Sequence, residues 1–304
     1  MEAEQVAVLV MAYGGPGNID EVEPYLLDVR GGRPTKPQLV EEIRARYARI
    51  GGRSPILDLT RAQASAVGRA LGDRFRVFVG MRHWHPYIQA TVEEIVRAGH
   101  RRVVGVAMAP HYSNMSVGAY EKKLLQAADQ RLETSLVRSW WRQPRFLDAV
   151  ADRVTQALQR FARGSHVPVV FTAHSLPERI LASADPYVEE IRGSAEEVAR
   201  RARLADWRVA YQSAGATPEP WLGPDAGAVI TELAKAGNDG VLLVPIGFVC
   251  DHVEILYDLD VEYQALAKRL GVRLERTASL NDDPGLVAAV ADVVRAAAAE
   301  RRWL

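Results

Sequence analysis

The sequence predicts an α/β protein of two similar doubly wound domains, each with a parallel sheet, and a cleft between them. Three observations predict this fold class. Short, nearly continuous apolar runs recur along the 304 residues, helical apolar patterns separate these runs, and the second half resembles the first. Continuous runs are typical of parallel strands covered on both faces. Their alternation with helices is typical of doubly wound sheets.

The strand predictions rest on six mostly apolar, Val-containing runs. They are Val6–Met11, Arg76–Val79, Val103–Met108, Val167–Phe171, Trp207–Tyr211 and Val241–Val244. Helices are predicted between the strands, where apolar residues recur at spacings of three and four. The clearest are Gln38–Arg49, Gln63–Leu71, Ile88–Ala98, Ala226–Ala236 and Leu286–Ala299.

The two halves repeat one strand, loop, helix and strand order. The strand that begins at Phe75 corresponds to the strand that begins at Trp207, an offset of 132 residues. We interpret the repeat as two copies of one domain, residues 1–142 and 143–304, joined near Trp140–Phe146. The last helix is then free to pack back on the first domain. Chance similarity between α/β units is the alternative interpretation.

Composition and charge exclude several classes of protein. Apolar residues make up 48% and charged residues 25%, as in an ordinary globular protein. The 38 basic and 38 acidic residues balance, so bulk charge gives no attraction for nucleic acid or an anionic membrane. No apolar run approaches the roughly 20 residues of a transmembrane helix. The start of the chain, Met1–Gln5, is acidic where a signal peptide is basic, so we expect a cytoplasmic protein.

Polar residues at the ends of the predicted strands are the candidates for a site. Ligands of doubly wound sheets bind beyond the carboxyl ends of the strands. The residues there are Tyr13, His83, His111, His174 and the segment Gly247–Glu254. A neutral imidazole at His174 is suited to accept a proton or bind a divalent metal. A structural histidine bonded to a neighbouring loop fits the same position.

Acidic residues recur at helical spacing after the sixth predicted strand. If a helix begins near Asp251, then Asp251, Glu254, Asp258 and Glu262 share one face. Like charges at this spacing repel each other, and rows of oxygen ligands suit hard divalent cations. The alternative for Asp251 and Glu254 is a capping box, in which the glutamate only closes the start of the helix.

Arginines crowd an early stretch, in which Arg30 and Arg46 stand close to Tyr25 and Tyr47. Arginine pairs well with carboxylate groups of a ligand, although a solvated helix face is the simpler interpretation. The segment Gly14–Gly17 lacks the dinucleotide-binding spacing of glycines, and the chain has neither a P-loop nor a GxSxG sequence.

Taken together, these segments resemble the ferrochelatase family over nearly the whole chain. The matching segments are Leu9–Pro16 (LVMAYGGP), Arg46–Pro55 (RYARIGGRSP), Gly80–Pro86 (GMRHWHP), Ala109–Tyr120 (APHYSNMSVGAY), Phe171–Glu178 (FTAHSLPE) and Pro245–Tyr257 (PIGFVCDHVEILY). The last two are the most specific.

The resemblance implies that ferrous iron is inserted into a porphyrin, a step of haem synthesis. It implies two Rossmann-like, chelatase-type domains with the porphyrin in the cleft between their parallel sheets. By this likeness His174 and Glu254 face each other across the macrocycle, where they accept pyrrole protons or ligate iron. Asp258 and Glu262 match a line of carboxylates that leads inward from solvent, so all four are candidate metal ligands.

The loop between Pro16 and Arg46 is short and polar, whereas membrane-bound ferrochelatases have a longer apolar lip there. In this respect the chain looks like the bacterial enzymes that metallate coproporphyrin III, a substrate with four propionates. Six residues match substrate-contacting positions, with the first as an axial ligand to product iron. They are Tyr13, Arg30, Arg46, Tyr47, Ser54 and Tyr120.

Iron is implied as a substrate, and no permanently bound cofactor is expected. Some relatives carry an iron–sulfur cluster, but the single Cys250 excludes an intrachain disulfide and a cluster that needs several cysteines of this chain. We expect a monomer without membrane insertion that makes transient contact with a downstream haem-pathway enzyme. The alternatives are a protoporphyrin IX ferrochelatase, a non-catalytic tetrapyrrole carrier, a cobalt chelatase and a sugar- or nucleotide-binding protein.

Overall fold

Two four-stranded parallel sheets form the frame of the computed structural model, which describes residues 5–215 and 217–304. The strands are β1 (Val6–Ala12), β2 (Phe75–Met81), β3 (Arg102–Ala107), β4 (Glu133–Val137), β5 (Val169–His174), β6 (Trp207–Gln212), β7 (Gly240–Val244) and β8 (Arg273–Arg276). The strand orders are β2-β1-β3-β4 and β6-β5-β7-β8. The second sheet thus repeats the topology of the first, and the predicted α/β class with two parallel sheets is confirmed. The acidic residues 1–4 lie outside the described part of the chain.

Helices follow the strands and cover both sheets. They are α1 (Val22–Val29), α2 (Pro37–Arg49), α3 (Ile56–Leu71), α4 (Ile88–Arg97), α5 (Val117–Ala128), α6 (Pro144–Leu158), α7 (Tyr187–Ala202), α8 (Ala226–Lys235), α9 (Val253–Leu256), α10 (Gln264–Leu270) and α11 (Pro284–Glu300). A turn of π-helix, Asp258–Tyr263, stands between α9 and α10.

All six predicted runs are strands, whereas β4 and β8 escaped prediction. Both are short edge strands, in which polar or charged residues interrupt the apolar ones. An edge strand has a partner on one side only and needs no continuous apolar run. β4 and β8 therefore lack the continuous apolar run that predicted the other six strands.

The last helix leaves the second sheet and packs against the first half of the chain. α11 lies on α3 and α6, and it also contacts β3 and β4. Its nearby Trp303 is buried and donates its indole N–H to Glu133, at 3.2 Å. One apolar core therefore runs from β1 through Phe146 to β5, which holds the two sheets at a fixed mutual position.

The carboxyl ends of the strands gather the polar candidates. Tyr13 follows β1, His83 follows β2, and His174 and Gln212 are the last residues of β5 and β6. Among the described residues, no helix combines the length and the apolar character needed to cross a bilayer.

Candidate active site

His174 and Glu254 face each other at the carboxyl ends of β5 and β7. His174 Nε2 lies 3.6 Å from Glu254 Oε1, and about a third of each side chain is exposed (34% and 28%). The distance is longer than a hydrogen bond, so the two groups face each other without a direct bond. An imidazole nitrogen and a carboxylate oxygen that converge on one space can share a proton or bind a divalent cation.

A hydrogen bond to the backbone orients the His174 ring and determines which nitrogen carries the proton. His174 Nδ1 bonds to the backbone carbonyl of Ser175, and a carbonyl only accepts, so Nδ1 carries the hydrogen. In the neutral ring Nε2 then presents its lone pair toward Glu254. Tyr187 donates to the backbone carbonyl of His174, at 3.0 Å, and fixes the peptide on which the ring stands.

Glu254 stays ionised although most of its side chain is shielded from solvent. Burial by itself raises its pKa, but the neighbouring His174 and His252 more than offset this and lower the pKa below its ordinary value. His252 Nε2 lies 3.9 Å from Glu254 Oε2. Glu254 Oε2 makes no hydrogen bond within the described part of the chain. A charged, incompletely satisfied carboxylate is suited to take a proton or a cation.

His252 belongs to the site, although no role was predicted for it. Burial lowers its pKa, but Glu254 outweighs burial, so the net shift is upward. Its Nδ1 bonds to the carbonyl of Cys250, at 3.0 Å, which leaves Nε2 on the Glu254 side. It lies within the segment that the strand-end argument selected, and this was the only signal for it.

Asp258 and Glu262 continue from Glu254 along the π-helix, whose wide turn places both carboxylates beside one partner. Arg46 Nη1 lies 3.9 Å from Asp258 Oδ1, and Nη2 lies 3.8 Å from Glu262 Oε1. Ser213 donates to Asp258 Oδ2. Burial raises the pKa of Asp258 to about 6. π-Helical turns are frequent at functional sites.

Asp251 does not join this line, so the prediction of four carboxylates on one face is wrong. α9 begins at Val253, two residues later than expected, and no side chain caps it. Asp251 instead accepts hydrogen bonds from Ser279, at 2.6 Å, and Asn281, at 3.1 Å, and pairs with Arg276. The capping box is absent for the same reason.

Three predicted tyrosines lie within electrostatic reach of Glu254. Its charge contributes to raising the pKa of Tyr13, Tyr47 and Tyr120, for each of which burial is the largest cause. For Tyr13 the result is a pKa of about 12, with Arg82 opposing the shift. The Tyr13 side of the cleft and Glu254 thus share one electrostatic environment.

Tyr13 stands on a supported platform. Its ring centre lies 4.7 Å from that of His83, and the Arg82 guanidinium lies over the rings of Tyr13 and Tyr120, at 5.7 and 5.6 Å. His83 bonds to Asp28 at 2.8 Å. Burial lowers the pKa of His83 to about 4, so the ring is neutral at neutral pH.

The other two predicted contact residues are Ser54 and Arg30. Ser54 is buried, and a methyl group on Gly15 would come within 2.6 Å of its Cβ, so the serine packs against the loop after β1. Arg30 is exposed just beyond α1 and exchanges hydrogen bonds with Arg33, at 3.1 and 3.3 Å. Their contacts with substrate stay predictions.

Two further strand-end residues are structural. His111 is buried, bonds to Ser194 at 2.7 Å, and has a pKa lowered to about 3 by burial. Cys250 packs with Ala12 and Met81 of the first half, and burial raises its thiol pKa to about 12. Among the described residues, no group of three or more His, Cys, Asp and Glu side chains is arranged to hold a metal ion.

One protein family matches nearly the whole chain. The sequence model of the family described as ferrochelatase matches residues 5–298. A ferrochelatase of Herpetosiphon aurantiacus is 46% identical over 299 residues, which cover 95% of this chain and 98% of that protein. A coproporphyrin III ferrochelatase of Geobacillus kaustophilus is 35% identical over 314 residues, which cover 100% and 98%.

The fold also resembles that of a more distant solved structure. The sirohydrochlorin chelatase SirB of Bacillus subtilis subspecies spizizenii superposes with a TM-score of 0.63, over 98% of this chain and 97% of that chain. The two sequences are only 13% identical, so the similarity concerns the fold alone.

Proposed function

The chain belongs to the ferrochelatase family of haem biosynthesis, and from this premise we propose that its substrates are coproporphyrin III and ferrous iron. The product is then the iron porphyrin coproheme. The observation that carries the proposal is the placement of His174 Nε2 and Glu254 Oε1, 3.6 Å apart, with Tyr13 near enough for the charge of Glu254 to affect its pKa.

Metal insertion needs two protons to leave the pyrrole nitrogens. His174 presents an unprotonated Nε2 when neutral, and Glu254 is ionised beside it, so each is able to accept a proton. A flat porphyrin hides its nitrogen lone pairs, and puckering exposes them. Binding energy from remote groups of the substrate offsets the strain of that puckering.

Propionates are such remote groups, and coproporphyrin III carries more of them than protoporphyrin IX does. Arg30 and Arg33 lie on an exposed polar turn after α1, and guanidinium groups bind carboxylates with two parallel hydrogen bonds. Several relatives named coproporphyrin III ferrochelatases, at 32–35% identity, support the same substrate. We propose that Arg30, Arg46, Tyr47, Ser54 and Tyr120 contact the propionate-bearing macrocycle.

Further roles follow from the same proposal. Tyr13 is the axial ligand to product iron, and His174, Glu254, Asp258 and Glu262 ligate the metal on its way in. The protein acts in the cytoplasm as a monomer, without a permanent cofactor, and passes its product to a downstream haem-pathway enzyme in a transient contact.

An anaerobic insertion assay with ferrous iron tests the substrate. The protein is offered coproporphyrin III and protoporphyrin IX in parallel, and porphyrin absorbance is followed as the metal enters. Preference for coproporphyrin supports the proposal. Preference for protoporphyrin keeps the family activity but overturns the propionate argument. Tight binding without insertion of iron into either porphyrin points to a tetrapyrrole carrier instead.

A further inference from the structure

Arg46 lies beside two carboxylates that its position on α2 did not predict. Its guanidinium crosses to the second half of the chain and lies beside Asp258 and Glu262. It also lies 5.0 Å from the centre of the Tyr257 ring, which borders the π-helix. One arginine of the first domain thus faces two carboxylates of the predicted metal path.

The oxygens that Arg46 faces are the ones left for another cation. Asp258 Oδ2 accepts the Ser213 hydroxyl, so Oδ1 is the oxygen that turns to the guanidinium. Glu262 is 45% exposed and offers Oε1 to the same group. A divalent cation that uses these two oxygens meets a positive charge only about 4 Å from each of them, and this opposes its binding.

The contacts of Arg46 with Asp258 and Glu262 are long enough for another anion to replace them. Distances of 3.9 and 3.8 Å are ion pairs without a close hydrogen bond, and the Arg46 side chain is 37% exposed. Ion pairs as long as these, with the arginine partly open to solvent, hold the guanidinium only weakly. A carboxylate that forms two parallel hydrogen bonds with the guanidinium is a stronger partner.

We propose that Arg46 obstructs the metal path through Asp258 and Glu262 until a porphyrin propionate draws its guanidinium away. This inference rests on the proposed function, because it takes the propionate of the substrate as the competing anion. Porphyrin binding then increases the affinity of the path for a divalent cation. Binding is ordered, with the macrocycle in place before the metal reaches His174 and Glu254.

The test measures cation binding without metal insertion. Mn²⁺ is the probe, because it favours carboxylate ligands and its free form is counted by electron paramagnetic resonance. Tin(IV) coproporphyrin III is the porphyrin, because its centre is already filled. Affinity for Mn²⁺ is measured with and without this porphyrin in the wild type, Arg46→Met and Arg44→Met. Arg44→Met removes the same charge from α2, where Arg44 pairs with Glu41 instead.

In the wild type, the porphyrin is expected to raise Mn²⁺ affinity about tenfold, within the usual range for coupled sites. Arg46→Met is expected to bind Mn²⁺ at the raised level already, with less than about a twofold further gain from porphyrin. Arg44→Met is expected to behave as the wild type. A Glu262→Gln variant is expected to lose the gain, which locates the cation on the path.

Three results overturn the inference. One is a Mn²⁺ affinity in the wild type that the bound porphyrin leaves unchanged. Another is an equal effect of Arg44→Met and Arg46→Met, which reduces the effect to general charge. The third is a Glu262→Gln variant that keeps the full gain. If the proposed substrate is wrong, tin coproporphyrin will not bind, and this outcome is distinct from the three above. The comparison of the variants without porphyrin then still tests whether Arg46 obstructs the path.

Discussion

Gln212, the last residue of β6, donates its side-chain amide hydrogen to the backbone carbonyl of Glu254, at 2.8 Å. Gln212 is fully buried, and its neighbour Ser213 donates to Asp258. The end of one strand therefore holds both Glu254 and Asp258 in place. The carboxylates depend for their position on a strand that is distant from them in the sequence.

Replacement of this glutamine should slow insertion without weakening porphyrin binding. In Gln212→Leu the side-chain volume stays similar, but the Glu254 peptide loses its donor. We expect kcat to fall about tenfold, because small misplacements of catalytic groups are costly, with KM for coproporphyrin nearly unchanged. Gln63→Leu is the matched control, since Gln63 is also fully buried and donates to a backbone carbonyl, that of Asn281. Equal losses in both variants would contradict a positioning role.

The phenol of Tyr13 is expected to act on the product more than on the chemical step. In Tyr13→Phe, insertion should continue, but the product, once oxidised by air to the ferric form, should lack the absorbance of a phenolate ligand and dissociate several times faster. Visible spectra and stopped-flow release measure this. Tyr112→Phe is the control, because Tyr112 bonds to Asn114 away from the cleft. An unchanged product spectrum in Tyr13→Phe would refute the axial role.

Arg30 is expected to contribute affinity for propionates. Arg30→Leu should weaken coproporphyrin binding about tenfold, the cost of a charge-assisted hydrogen bond, and should change kcat less. Protoporphyrin, with fewer propionates, should lose less affinity. Fluorescence titration gives both dissociation constants. Arg69→Leu is the control, since Arg69 bonds to Ser65 on α3. Unchanged affinity for coproporphyrin in Arg30→Leu would argue against the contact.

Buried His111 should make stability depend on pH. Its pKa is lowered from 6.5 to about 3 in the folded chain, so the unfolded chain binds more protons between these values. The free energy of unfolding should therefore fall as the pH drops below about 6.5. Urea unfolding at about pH 7.5 and about pH 5 measures the loss.

Variants of His111 and His85 test whether the pH dependence of stability arises from His111. His111→Asn should lose less stability over the same pH interval than the wild type, although it starts from a lower value because the ring contact with Phe146 is gone. The exposed His85 provides the control, and His85→Asn should keep the full pH dependence. If His111→Asn keeps it as well, the acid sensitivity arises elsewhere.

The sequence predicted the parts of the site that strand ends determine. Tyr13 and His174 follow apolar runs, and the carboxyl ends of parallel strands meet at one edge. Asp251 was misplaced because Ser279, Asn281 and Arg276 capture its carboxylate, and these come from a distant part of the chain. Helical spacing carries no information about such partners.

Arg46 shows the same limit. Arginine and the neighbouring tyrosines indicated a side chain that pairs with carboxylates, and Arg46 does face carboxylates. Its partners in the folded chain are Asp258 and Glu262, across the cleft. The contact depends on the relative placement of the two sheets and on a π-helical turn, neither of which a pattern of residues in one segment reveals.

Single-turnover insertion of ferrous iron into coproporphyrin III, measured anaerobically in the wild type and His174→Ala, tests the central claim most directly. Porphyrin binding is titrated in the same preparations. We expect His174→Ala to bind coproporphyrin with wild-type affinity and to insert iron at least about 100-fold more slowly, the loss typical of a missing general base. A substantial insertion rate in His174→Ala, with binding intact, would contradict the assignment of the site.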